Sequence, residues 1–246
     1  MDTGPAGPAA AGPPSHRPFG GDAVPVTTAH LADACVRAGV PVRCVPLHPV
    51  TPGTRLAGRV LPARHAGSVD VFLEAIDGAR PGDVLVVDNA GRRDEACVGD
   101  LVVLEAQAAG LAGLVVWGLH RDTADIRAIG LPVLSLGALP TGPLRLDARP
   151  PGALASATVG EWTVGPDDVV VGDDDGALFL PAGRADELLA VAASVRDTER
   201  RQADRIRAGE PLRAQLGLGA FVAARAARPG LTFREHLRAV GGAIEE

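Results

Sequence analysis

A chain of 246 residues, 46% hydrophobic and 22% charged, has the composition of a globular protein and the length for one well-filled core with appendages. Its net charge of −6 and its 3% aromatic content, with no Tyr, argue against a nucleic-acid partner, which needs a basic face and stacking platforms. No stretch approaches the ~20 apolar residues of a membrane span, and the N-terminus lacks the basic start and apolar run of a signal peptide, so a cytoplasmic protein with no membrane partner is expected.

Residues 1–21 are Pro, Gly and Ala with few large apolar groups, a composition that cannot offset its ordering entropy and predicts a disordered tail. Thr28 is a plausible N-cap for a helix running to about Gly39, with Leu31, Ala34, Cys35 and Ala38 on one face. Short strands fit near Val42–Val45 and Arg55–Leu61, between prolines, and a helix over Val69–Ile76. The middle of the chain then alternates. Val84–Asp88 and Leu114–Trp117 are apolar runs expected as buried strands, each followed by a helix, Gly99–Ala109 and Asp122–Ile129, and Val133–Leu136 is a further strand. Ala155–Val159, Trp162–Val164, Val169–Val171 and Ala177–Leu180 have strand composition. Asp173-Asp174-Asp175-Gly176 lacks the ligand spacing of a calcium loop and reads as a hairpin turn. A long helix begins near Gly183. Its apolar stripe of Leu188, Leu189, Ala192 and Val195 fades after Arg196, where charged residues dominate; such a helix projects into solvent or lies on a neighbouring subunit.

Two residue counts bear on chemistry. The chain has no Lys, all 24 basic side chains being Arg, so no side-chain amine is present for Schiff-base chemistry. A carbon–carbon cleavage would have to stabilise its carbanion another way, most simply with a metal ion. Cys35, Cys44 and Cys97 fall at no metal-ligand spacing and read as reduced, small buried side chains.

Pro81-Gly-Asp-Val-Leu-Val-Val-Asp88, Gly99-Asp-Leu-Val102, Gly110-Leu-Ala-Gly-Leu-Val-Val-Trp-Gly-Leu-His-Arg-Asp122 and Val164–Pro181, in this order and spacing, resemble the RraA-like family. That family includes the class II 4-hydroxy-4-methyl-2-oxoglutarate / 4-carboxy-4-hydroxy-2-oxoadipate aldolases and the regulator of ribonuclease activity A. The resemblance covers about Thr27 to Gly209 and departs from the common pattern at Pro166-Asp167-Asp168 and after Gly209. It implies an α/β fold, a layered swivelling β/β/α domain over residues 22–195, with a C-terminal helical arm over 196–246 at a subunit interface. It also implies a homotrimer or a hexamer built from two trimers.

The same resemblance implies a site. Asp122 would hold a divalent cation, Mg²⁺ or Mn²⁺, which needs only one or two protein carboxylates. Arg121 would bind the pyruvyl group, its planar fork of donors suiting a carboxylate and its charge an enolate oxygen. Gly99, Leu101 and Val102 would offer backbone amides of a helix start to the substrate carboxylate. Asp100 matches an acid that contacts water on the metal, and Glu199 an acid that reaches a neighbour's site. Taken alone, the residues leave other readings open. Asp122, with Asp125 three residues on, resembles a helix N-cap, and Asp100 another. Arg92 reads equally as a ligand for a distal carboxylate or a solvated loop residue. Glu199 fits surface pairing with Arg196 or Arg200, and a lone His120 fits a structural role. The implied activity is a metal-dependent retro-aldol lyase acting on a 4-hydroxy-2-oxo acid to give pyruvate, with oxaloacetate decarboxylation as a related reaction. The family also implies an alternative, a non-catalytic regulator that binds a ribonuclease.

Overall fold

The computed structural model describes residues 26–240, so the tail expected over 1–21 lies outside the described residues. The first part of the chain forms α1 (Thr28–Arg37), β1 (Arg43–Val45), β2 (His48–Pro49), β3 (Leu56–Arg64) and α2 (Asp70–Asp77). The central part forms β4 (Val84–Asp88), β5 (Ala96–Val98), α3 (Asp100–Ala108), β6 (Gly113–Trp117), β7 (Leu119–His120), α4 (Thr123–Ile129) and β8 (Val133–Ser135). Then come β9 (Ala157–Val159), β10 (Trp162–Val164), β11 (Asp168–Asp173), β12 (Gly176–Pro181) and the long α5 (Ala185–Arg207). Three short helices close the described chain: α6 (Leu212–Gln215), α7 (Leu218–Ala227) and α8 (Phe233–Val240).

Eight strands make one mixed sheet in the order β1-β12-β11-β3-β4-β6-β8-β2. Its centre, β3-β4-β6-β8, is parallel, and the outer pairings are antiparallel. The expected layering follows from how the strands divide their side chains. Leu85 and Val87 of β4 and Leu114 and Val116 of β6 pack with Phe72 of α2, Val103 of α3 and Ile126 of α4. The alternate residues Val84, Val86 and Val115 pack with Ala157, Val159 and Val164 of the β9–β10 hairpin. Strands buried on both faces need apolar residues at every position, which is why these segments read as unbroken runs. Farther along the sheet, Val171, Leu178 and Leu180 meet Leu31, Ala34 and Cys35 of α1 and Leu188 and Ala192 of α5. Asp173-Asp174-Asp175-Gly176 is the expected hairpin turn, with Asp173 paired opposite Gly176.

Several local expectations need correction. The cap of α1 is Thr27, whose hydroxyl accepts from the His30 amide, because Thr28 is drawn to a distant partner: its amide and hydroxyl both donate to the buried Asp173. All three cysteines are free, but Cys44, on an edge strand, is exposed. The long helix is unbroken through Arg196 and ends at Arg207. Beyond it, Phe221 packs edge-on to Phe233 at 4.9 Å between ring centroids, and His236 Nε2 is 2.9 Å from the Leu216 carbonyl, so α6, α7 and α8 bury a small cluster of their own.

Candidate active site

Two very short strands build the site. β5 and β7 pair in parallel, Ala96 with Leu119 and Val98 with His120, and the Arg121 amide donates to the Val98 carbonyl at 2.9 Å. Parallel neighbours exit a ladder side by side, so the residues that leave β5, Gly99-Asp100, lie against those that leave β7, Arg121-Asp122. The contact is close. A Cβ added to Gly99 would stand 2.5 Å from Asp122 Oδ2 and 3.3 Å from Arg121 Nε. Gly99, not Asp100, is the N-cap of α3, and no side chain caps that helix, so the reading of Asp100 as a cap is corrected. Leu101 is exposed, whereas the Val102 side chain is buried in the core and only its backbone belongs to the helix start.

Asp122 stands at the N-cap position of α4 but does not cap it. Its side chain accepts no cap hydrogen bond, and its backbone is left-handed, at φ 60° and ψ 40°. That conformation costs most non-glycine residues about 1–2 kcal/mol, and Asp and Asn are among the few that tolerate it better. A cap residue normally has extended backbone, so the ordinary-cap reading of Asp122 does not hold. The carboxylate is half-exposed and lies 3.4 Å from Arg121 Nε. Ala90, just past the end of β4, is the other described non-glycine residue with positive φ.

Flanking groups are fixed by a segment that returns from residues 137–147. Glu95 is fully buried and accepts from the Leu144 amide at 2.8 Å and Arg145 Nε at 3.2 Å, with Arg92 Nε at 3.1 Å. Burial alone would raise the Glu95 pKa, but the Leu144 amide and the two guanidiniums overcome it and hold the carboxyl below its usual value. The Thr141 carbonyl accepts from the Ala96 amide, and a Cβ on Gly142 would meet Arg121 Nη1 at 2.8 Å. Arg92 forms ion pairs with Asp94 and Glu95. Sequence reasoning missed Glu95; its neighbours Arg92, Arg93 and Asp94 make the segment look like a solvated charge run. Glu199, on α5, accepts from His30 Nε2 at 3.1 Å, rather than from Arg196 or Arg200, and is not brought to Arg121 and Asp122 within the chain.

His65 and His120 are both buried. His65 Nδ1 donates to Asn89 Oδ1 at 3.0 Å and its ring stacks on Phe72. Burial pushes both imidazoles below the ordinary value of 6.5. In the unfolded chain they titrate near that ordinary value, so as pH falls through it the unfolded state binds protons first and stability is lost. The melting temperature is therefore expected to fall between about pH 7 and about pH 5, and His65→Gln to flatten the slope. Thermal melts across that range check this; a melting temperature that rises on acidification would contradict neutral buried imidazoles.

Asp122 offers one accessible carboxylate against a helix start left bare by Gly99, with Asp100 beside it. Among the described residues no cluster of three His, Cys, Asp or Glu side chains could hold a metal. That donor set does not suit zinc, which takes three or four protein ligands, but fits a hard cation that keeps most of its waters. No described helix is long and apolar enough to cross a membrane.

Comparison with known proteins bears on the family and the fold. The sequence model of the RraA-like family, described as Aldolase/RraA, matches residues 28–179, more than half of the chain. A protein of Hahella chejuensis named "Putative 4-hydroxy-4-methyl-2-oxoglutarate aldolase" is 35% identical over 45% of this chain and 66% of its own length. The chain's matches span about a third to two thirds of the length of the curated relatives. The crystal structure of an uncharacterized protein from Pseudomonas syringae has a TM-score of 0.66 at 28% identity, covering 76% of this chain and 90% of that one. That of Streptomyces coelicolor RraAS2, described as an unusual member of the RNase ES inhibitor RraA protein family, has 0.63 at 27% identity, covering 71% and 90%. With the motifs, the layered α/β fold and the family match in agreement, this chain belongs to the RraA-like family.

Proposed function

We propose that the protein is a divalent-metal-dependent lyase that cleaves a 4-hydroxy-2-oxo acid, of the 4-hydroxy-4-methyl-2-oxoglutarate type, to pyruvate. The observation that supports this most is the β5–β7 pairing, which sets Gly99-Asp100 beside Arg121 and a strained, uncapped Asp122. Strain held at an accessible carboxylate is a feature of functional sites. Asp122 would hold Mg²⁺ or Mn²⁺, and the cation when bound would supply positive charge to polarise the 2-oxo group. Arg121 would pair with the pyruvyl carboxylate and stabilise the developing enolate oxygen. The bare amides at the start of α3, from Gly99 to Val102, would orient that carboxylate. Asp100 would orient the water that takes the C4 hydroxyl proton. As the C3–C4 bond breaks, its electron pair passes to the pyruvate enolate, C4 becomes a carbonyl, and a proton returned to C3 completes pyruvate. Oxaloacetate would give the same enolate by losing CO₂.

In this reading the protein assembles as a trimer or a hexamer, and Glu199 serves a neighbouring subunit's site. The likeness to RraAS2 favours a second reading, a regulator that binds a ribonuclease. A pyruvate-release assay across 4-hydroxy-2-oxo acids and oxaloacetate separates the two. Turnover is expected that EDTA abolishes and added Mg²⁺ or Mn²⁺ restores. No release from any of these substrates with metal present would leave the regulator.

A further inference from the structure

Nothing in the side chain of Asp122 explains how its left-handed backbone is held, since it makes no cap bond of its own. We propose that His120 is a positioning residue, its imidazole linked to Thr123 across the Arg121–Asp122 pair so that Asp122 keeps the turn that aims its carboxylate at Gly99. The inference rests on the reading of Asp122 as the cation ligand.

The imidazole is anchored at both ends. Nδ1 lies 2.8 Å from Ser135 Oγ on β8, and Nε2 lies 3.0 Å from Thr123 Oγ1, the first residue of α4. The backbone of His120 is fixed as well: its amide donates to the Gly137 carbonyl at 3.0 Å, and its carbonyl accepts from the Leu139 amide at 2.9 Å. Residues 120 and 123 flank the pair in sequence, so the ring closes a short loop over Arg121 and Asp122. The Arg121 amide, bonded to Val98, pins the same loop from the β5 side. If Asp122 relaxed to the commoner right-handed backbone, Thr123 would swing relative to His120 and the Nε2 contact would break. The imidazole, buried in the fold, would then have an unsatisfied nitrogen, a cost that opposes the relaxation. An apolar residue at 120 could fill the same buried space, but it could not span from Ser135 to Thr123.

Thr123→Val tests this, because it keeps the shape of Thr and removes only the hydroxyl. Two readouts are used: Mn²⁺ affinity by titration, and hydrogen exchange of the Ile126 amide, which donates to the Asp122 carbonyl at 3.0 Å. Thr123→Val is expected to weaken Mn²⁺ binding about tenfold or more, the range seen when partners behind a metal ligand are lost, and to speed Ile126 exchange. Thr123→Ser, which retains the hydroxyl, should restore both, and amides of β4 should exchange as in the unmodified protein. Unchanged Mn²⁺ affinity and unchanged Ile126 exchange in Thr123→Val would overturn the proposal. If the unmodified protein binds no Mn²⁺, the metal reading of Asp122 fails, while the strut still stands or falls on Ile126 exchange.

Discussion

Asp122→Asn is expected to abolish metal-dependent pyruvate release while leaving the melting temperature almost unchanged. The stability half follows from the backbone. Asn is one of the few residues that shares the tolerance of Asp for left-handed geometry, so φ 60° is kept. No cap bond is lost, because none is made. The 3.4 Å pair with Arg121 is half-exposed and contributes little. The activity half follows from charge. A carboxamide is a neutral and much weaker ligand for a hard cation, and no cluster among the described residues replaces it. The loss should exceed the ~10–100-fold that outer partners of a metal site contribute. Mn²⁺ titration, pyruvate release and a thermal melt on one preparation check all three. Full turnover in Asp122→Asn would remove the carboxylate from the mechanism.

What could be read in advance, and what could not, divides by the range of the interaction. The unbroken apolar runs of β4 and β6, the turn at Asp173–Gly176 and the helix starts after Gly99 and Asp122 are local signals, and each gave the right element. β5 and β7 have three and two residues, too few for any periodicity, yet their pairing is what brings Gly99 to Asp122. The motif pieces carried the site residues without showing why they meet. Thr27 rather than Thr28 caps α1 because Asp173, remote in sequence, takes both Thr28 donors. Glu95 is buried only because Leu144 and Arg145 return to it from a segment with no regular structure. Glu199 finds His30, on a helix at the other end of the fold's sequence, in place of the local i−3 and i+1 arginines. Each miss is a long-range contact overriding a local preference.

Gly99→Ala should separate the position of the carboxylate from its charge, and it is expected to reduce Mn²⁺ affinity and turnover at least about tenfold with only a modest loss of stability. Gly99 has φ −129° and ψ −175°, extended backbone open to any residue, so Ala brings no conformational strain. Ala is a poorer N-cap than Gly, which costs α3 up to about 1 kcal/mol. In a chain of this size that is a drop of roughly 2–4 °C in melting temperature. The new methyl group cannot coexist with the observed site, because its carbon would stand 2.5 Å from Asp122 Oδ2. The atom it meets is the end of a short, rotatable side chain, so the fold yields by swinging the carboxylate aside. The negative charge stays in the neighbourhood, but the oxygen leaves its position beside Gly99, and Arg121, whose Nε and Cγ lie 3.3 and 3.4 Å from the same carbon, is crowded with it. Charge alone, steering a cation from the surface, would survive this change; coordination at a fixed point would not. Titration of Mn²⁺ into Gly99→Ala, beside a melt, distinguishes them: wild-type affinity with a slightly lowered melting temperature would mean that Gly99 matters only as the start of a helix, and that the metal does not bind where the chain leaves β5 and β7.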